Sequence, residues 1–301
     1  MGVRHYVCLD IGGSAIKYAL IDDLGNIKQE NNCPTPTDQQ MFLEKISAIY
    51  QLLAGNQPLP LAVSLPGVVN SKTGYMLHGG ALKFLHQQNV KKLLEEACQT
   101  KVALENDGKC AALGEKWLGV LQGTETGIAL VIGTGIGGGI IVNNTLLKGH
   151  HLSAGEFSSI QTQADSDAKK DSFAMICSSK MLCHHYADLI GKEKTEVDGY
   201  YFFEKLTEGD KYAVKLFENY IKVFVKQLFN LQTIIDPEII SIGGGISRQS
   251  LLFDYLEQEI NRIMEISELP LVKPIIKQSK LGNRANLLGA VANFNYLEKK
   301  N

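Results

Sequence analysis

The chain has 301 residues, 45% of them apolar and 21% charged, with a formal net charge of −2. That is enough for two domains at roughly 100–200 residues each, and the near-neutral balance excludes a nucleic-acid or membrane surface driven by charge. No stretch approaches the ~20 apolar residues of a membrane span. The N-terminus carries no cleavable apolar region, and the six scattered cysteines read as reduced thiols of a cytoplasmic protein.

Taken in chain order, Val3 to Leu9 is an apolar strand ending at Asp10, followed by the turn Ile11-Gly12-Gly13-Ser14. Alternation at Ile16, Tyr18 and Leu20 gives a second strand, and a third starts at Ile27 after a tight turn. Phe42, Ile46, Ile49 and Leu53 predict a helix over 38–54. Leu59 to Leu65 is a buried strand closed by Pro66-Gly67, and a helix follows at 90–98. Val102 to Leu104 is a short strand running into Glu105-Asn106-Asp107, where Asn106 or Asp107 can cap the next helix. The same order then repeats: strand 127–132, glycine turn 133–139, strand 140–142, an Asn-Asn turn and a further strand. This is a duplication at domain scale. Helices near 171–190 and 210–235, a strand 238–242 and helices near 248–265 and 283–297 complete an α/β chain, with 161–170 as an exposed loop.

Glycine is in excess, 29 residues, and twelve of them fall in four clusters: 12–13, 79–80, 133–139 and 243–245. Glycine turns let backbone N–H groups converge on phosphate oxygens, although a single cluster reads equally as a tight turn without a ligand. No Walker loop is present. Gly133 to Gly138 satisfies G-x-G-x-x-G, which would suit an NAD-dependent dehydrogenase, but Ile140-Ile141-Val142-Asn143-Asn144 is poor material for the helix that reading requires. The remaining reading is phosphate held at two β-hairpin turns, by Gly12, Gly13 and Ser14 and by Gly133, Thr134, Gly135, Gly137 and Gly138. Asp10 would sit beside the phosphates and hold Mg²⁺ through water. Lys17 is either a charge partner or a solvated strand residue.

The segments DIGGS (10–14), SLPGVV (64–69), ENDGKCAALGE (105–115), IGTGIGGGI (132–140), SAGE (153–156), IISIGGGIS (239–247) and LLGA (287–290) together resemble the ROK family of bacterial sugar kinases. The resemblance spans essentially the whole chain. It implies two duplicated ribonuclease-H-like domains of the actin/hexokinase-type ATPase fold flanking a cleft. We place them at 1–118 and 119–301, with the final helix packing back on the first. It also implies ATP and Mg²⁺ as reactants, transfer of the γ-phosphoryl to a sugar hydroxyl, a homodimer, and no nucleic-acid or membrane partner.

Residue by residue, the resemblance makes Asp107 the general base, because a sugar hydroxyl is a poor nucleophile until a carboxylate takes its proton. Glu156 and Asn106 would receive sugar hydroxyls, Gly67 would let backbone approach the sugar, and Gly243, Gly244 and Gly245 would bind adenosine. The loop 79–86 stands where the family places a sugar-contacting loop, although His78 and His86 also read as surface histidines. The chain departs from the family at Ser159, a candidate sugar contact standing where many members have a histidine followed by a cysteine-rich zinc motif. Cys177 and Cys183 are too widely spaced for structural zinc. A zinc-free branch is expected, for which N-acetylmannosamine, glucose and β-glucosides such as cellobiose all fit. A sugar-sensing regulator on the same scaffold is the other reading.

Overall fold

A computed structural model of the chain describes residues 3–163 and 170–300. In chain order the elements are strands β1 (His5–Ile11), β2 (Ala15–Asp22) and β3 (Ile27–Pro34), helix α1 (Gln39–Ala54), and strands β4 (Leu61–Leu65), β5 (Val68–Asn70), β6 (Tyr75–His78) and β7 (Gln88–Asn89). Helix α2 (Val90–Cys98), strand β8 (Val102–Asn106), helix α3 (Asp107–Leu118) and strands β9 (Gly127–Ile132), β10 (Ile136–Val142) and β11 (Thr145–Leu147) follow. The chain closes with α4 (Phe173–Cys177), α5 (Ser179–Ile190), α6 (Gly199–Thr207), α7 (Lys211–Ile235), β12 (Ile239–Gly243), α8 (Ser250–Ile266), β13 (Ile276–Gln278) and α9 (Ala285–Lys300).

Two five-stranded sheets have the same order, β3-β2-β1-β4-β8 and β11-β10-β9-β12-β13. In each, the first strand pairs antiparallel with the second and parallel with the fourth. The duplication read from the sequence is therefore a duplication of sheet topology. The central strands β1 and β4 are buried along almost their whole length, as strands covered on both faces must be. Side-chain caps start the helices: Asp38 accepts from Met41 N at 2.9 Å, and Asn106 accepts from Lys109 N at 3.1 Å.

The chain divides into two compact units. The first comprises Met1–Gln122, Leu146–Ala154 and Asn283–Asn301, and the second Gly123–Thr145 and Gly155–Gly282. The first unit's core centres on Val7, Leu9, Phe42, Ile46, Val63 and Leu104. Within it α9 packs on α3 at very close range. A Cβ on Gly289 would lie 1.7 Å from the Cys110 carbonyl oxygen, and one on Gly114 would lie 2.3 Å from that of Ala285. Both clashes are with backbone, so no rotamer change relieves them. Gly289→Ala should cost roughly 1–3 kcal/mol by forcing the helices apart. Gly199→Ala, where a Cβ meets nothing within 4 Å, should stay within about 0.5 kcal/mol. Urea unfolding of the two variants reads the contrast, and equal midpoints would refute it.

Four sequence readings need correction. The stretch 133–139 is not one turn: residues from Ile136 onward are already β10, with Gly137, Gly138 and Gly139 registered opposite Val131, Leu130 and Ala129. The reason is steric, since a Cβ on Gly138 would sit 2.0 Å from Ala129 O and 2.7 Å from the Phe157 ring. The helix expected over 171–190 is two helices, broken where Ser178 turns extended and caps α5. Helix α6 and the small sheet β5-β6-β7 were not foreseen. Of the loop expected over 161–170, residue Gln161 instead bridges to Ser172, and 164–169 lie outside the described residues.

Five cysteines are buried and Cys33 is half-buried. Burial pushes the Cys98 and Cys183 thiols up to about 11, and those of Cys8, Cys110 and Cys177 well above the ordinary thiol range. A native-state thiol titration with a disulfide reagent near pH 8 should therefore count one fast thiol, and six after unfolding. Three or more fast thiols would contradict the packing.

Candidate active site

The first hairpin turn joins β1 to β2 through residues 12–15, closed by Gly12 N donating to Ala15 O at 2.8 Å. Thr35 steadies it, its hydroxyl donating to Gly12 O at 2.7 Å and its N–H to Ser14 O at 3.1 Å. Asp10 stands just before the turn and is 7% exposed. Ser64 Oγ and Asn286 Nδ2 both donate to its Oδ1, at 2.9 and 3.0 Å. Among the described residues the other oxygen, Oδ2, meets Lys17 Nζ, at 3.5 Å. Lys17 is thus engaged with the carboxylate. One oxygen fixed and one turned to a distant cation is a donor set suited to a hydrated divalent cation, which keeps most of its waters and few carboxylate contacts.

Strand β8 delivers Glu105-Asn106-Asp107 to the start of α3. Asn106 is the cap and Asp107 the first helical residue, where a negative charge is favoured by the helix dipole. Asp107 Oδ1 accepts from Gly108 N at 2.8 Å and from Asn106 Nδ2 at 2.9 Å. The same Asn106 amide donates to Gly67 O at 2.9 Å. Glu105 is fully buried, its Oε1 accepting from Asn106 N at 2.9 Å and its Oε2 paired with Lys148, which also donates to Ser71 Oγ. Asp10, Glu105 and Asp107 all bear on one buried thiol: burial first, then these three charges, hold Cys110 protonated. Strand register puts Asp10 beside Ser64 and Ser64 beside Glu105, so Asp10 and the Glu105-Asn106-Asp107 junction lie at the same end of the first unit's sheet.

Gly67 has φ +94°, and a Cβ there would lie 2.1 Å from His78 O and 2.8 Å from Gly80 N. Its role in the structure is close packing of the 66–67 turn on the Gly79-Gly80 loop.

In the second unit the equivalent turn, residues 133–135, is closed by Gly133 N donating to Gly135 O at 2.9 Å. Ser158 Oγ accepts from Ile136 N at 2.9 Å and donates to Ile136 O at 3.1 Å, which ties the Phe157–Ser159 turn to the start of β10. Glu156 immediately precedes that turn. Gly155 before it, at φ +83°, approaches Gly139 Cα so closely that a Cβ would stand at 3.2 Å. Ser159 is exposed, its N–H donating to Glu156 O at 3.2 Å.

The 243–245 cluster separates into three roles. Gly243 ends β12 opposite Val131. Gly244, at φ +89°, presses on β9, since a Cβ would be 2.1 Å from Ile132 O. Gly245 faces open space and lines a cavity of about 330 Å³. That cavity lies wholly in the second unit and is lined by Gly133 of the 133–135 turn, by the apolar Leu182 and Phe202, and by Tyr200 and Arg248. An apolar slot opening beside a glycine turn is the shape a nucleoside requires.

Residues the sequence reading missed are Ser64 and Asn286, which hold Asp10, together with Thr35, Ser158 and Lys148. Ser64 and Asn286 each interrupt or flank an apolar run inside a quoted segment, a signal that could have found them. Lys148 meets Glu105 from 43 positions away, and no local pattern announces that pairing. Among the described residues no three His, Cys, Asp or Glu side chains group closely enough to hold a metal ion, and no helix is long and apolar enough to cross a membrane.

Two copies of one sheet topology, each with a glycine turn after its first strand, define an actin/hexokinase-type ATPase fold. Solved structures agree. A ROK family protein from Streptococcus pneumoniae TIGR4 in complex with sucrose superposes with a TM-score of 0.90 at 29% identity, covering 98% of this chain and 99% of that one. A ROK family glucokinase from Streptomyces griseus in complex with glucose and AMPPNP gives a TM-score of 0.80 at 25% identity, covering 96% and 98%. The beta-glucoside kinase of Listeria innocua serovar 6a is 33% identical over 298 residues, 97% of each chain. Residues 6–295 match the ROK family itself, and the chain belongs to it.

Proposed function

We propose that this chain is an ATP-dependent sugar kinase that transfers the γ-phosphoryl group to a hydroxyl, taken to be the 6-OH, of a hexose, N-acylhexosamine or β-glucoside. The observation that carries the reading is the Asp107 carboxylate, held at a helix start by Asn106 and Gly108 at the same end of the first unit's sheet as Asp10. Asp107 accepts the hydroxyl proton as the new P–O bond forms, and Glu156 and Asn106 receive other sugar hydroxyls. Phosphates lie on residues 12–14 and 133–135, and the base of ATP enters the cavity lined by Gly245. Mg²⁺, held through water on Asp10, would neutralise phosphate charge as it develops.

The relative named beta-glucoside kinase supports the β-glucoside as acceptor, and the neighbours bound to sucrose, glucose and AMPPNP support a sugar and a nucleotide as ligands. The same reading has the enzyme acting as a homodimer in the cytoplasm, the former testable by light scattering on the purified protein. The test of function is ADP release measured over cellobiose, glucose, N-acetylmannosamine, N-acetylglucosamine, mannose and fructose. Sugar-dependent ADP formation with at least one of them is expected, and ADP release that ignores every sugar would overturn the proposal.

A further inference from the structure

Strand register lays four polar residues in one row across the first unit's sheet: Lys17 on β2, Asp10 on β1, Ser64 on β4 and Glu105 on β8. Residues directly opposite one another on paired strands share a face of the sheet. The row therefore holds two carboxylates, and a lysine meets each of them. The two pairs are built differently. Lys148 closes on the fully buried Glu105 and also donates to Ser71 Oγ, so that pair is largely shut off from water. Lys17 stops 3.5 Å from Asp10 Oδ2, well beyond the ~2.7–2.9 Å of a charge-assisted hydrogen bond, and 42% of its side chain is exposed. A pair this long and this open contributes little stability. It can be exchanged.

The carboxylate, by contrast, is not free to turn. Ser64 Oγ and Asn286 Nδ2 both donate to Oδ1, at 2.9 and 3.0 Å, which holds that oxygen in place and keeps Oδ2 on the Lys17 side. Lys17 itself springs from β2 just past the 12–15 turn, the proposed seat of phosphate in this unit. Its ammonium is a point charge on a flexible four-carbon stem. A short swing of that stem separates the carboxylate from an anion on the turn.

Resting on the kinase reading above, with Mg²⁺ at Asp10 through water, we infer that Lys17 and the cation compete for Asp10 Oδ2. Lys17 passes from that oxygen to a phosphate oxygen as the metal–nucleotide complex binds. A unit positive charge a few ångströms from a divalent cation repels it, so the bare cation is disfavoured at Asp10. Metal and phosphates arriving together meet no such penalty. The cation takes the carboxylate, the phosphate takes the ammonium, and no charge is left unpaired. Lys17 in this role selects the metal complex of the nucleotide over the free metal.

The test is Mn²⁺ binding to the purified protein, read by electron paramagnetic resonance with and without ADP, and with no sugar or turnover. Mn²⁺ suits the same carboxylate and water ligands as Mg²⁺. Lys17→Met keeps the apolar stem and drops the charge. Without nucleotide it should bind Mn²⁺ about tenfold more tightly than the wild type, the order expected when a unit charge beside a divalent ion is removed. Its affinity for ADP in the presence of Mn²⁺ should fall about tenfold, for one lost charged contact. Lys17→Arg, which keeps the charge, should bind free Mn²⁺ as the wild type does. Adding Asp10→Asn to Lys17→Met should abolish the gain, because the cation gained sits at Asp10. An unchanged free-Mn²⁺ affinity in Lys17→Met, a gain that survives Asp10→Asn, or an ADP affinity that does not fall overturns the exchange. Absence of sugar-dependent ADP release from the wild type refutes the kinase reading instead, and the Mn²⁺ titrations still decide the exchange by themselves.

Discussion

Asp107→Asn is expected to lower kcat by roughly 10²–10⁴, the usual worth of a positioned general base, while the protein stays folded. The amide oxygen can still accept from Gly108 N and from the Asn106 amide, so the start of α3 survives. Loss of one charge near a helix N-terminus should cost only about 0.3–1 kcal/mol. The KM for ATP should hold, because the cavity lined by Gly245 draws no residue from α3. Two neighbouring carboxylates already carry structural partners. Glu105 is buried and committed to Lys148 and Asn106 N, and Asp10 is held by Ser64, Asn286 and Lys17. A coupled ADP-release assay with cellobiose and glucose, run beside urea unfolding, reads both halves of the expectation. Turnover near that of the wild type would remove Asp107 from the role.

Much of this site could be read from residue order because its parts are local. The sequence Glu105-Asn106-Asp107 joins a strand to a helix, and a cap-forming residue at that junction is dictated by the unpaired N–H groups of the first turn. The hairpin turns at 12–15 and 133–135 follow equally from apolar strands that meet at glycine. The reading failed where tertiary approach overrides local preference. Gly137 to Gly139 look like strand breakers, yet they are strand because Phe157 lies where a side chain on Gly138 would be. The packing role of the pair 79–80 is not legible in residue order because its partners, Gly67 and Leu82, are defined only once the loop has closed. Lys17 could be placed on its strand, but its ion pair with Asp10 depends on the β1–β2 register that sets the two opposite each other. Segment 146–154 was assigned with its neighbours in sequence, whereas the chain carries it into the first unit.

That last segment carries the largest stability effect expected from a single side chain. Lys148 meets Glu105 with 22% and 1% of their side chains exposed, so the carboxylate has no water to fall back on. An exposed ion pair would be worth about 0–1 kcal/mol, but removing one member of a buried pair costs about 3–5 kcal/mol because the other charge is left uncompensated. Lys148→Met should therefore destabilise by about 3 kcal/mol, at the lower end because water can approach along the open part of the lysine. Adding Glu105→Gln to that variant should recover a substantial part of the loss, since it removes the stranded charge rather than a further contact. Activity should follow. Glu105 Oε1 holds Asn106 N, and the Asn106 amide holds both Gly67 O and Asp107 Oδ1, so a loosened Glu105 lowers kcat more than it raises the KM for ATP. Urea midpoints of the wild type, the single variant and the double variant form the measurement. A Lys148→Met midpoint within 1 kcal/mol of the wild type would show that the pair behaves as a surface contact, and that Asp107 is held in place without it.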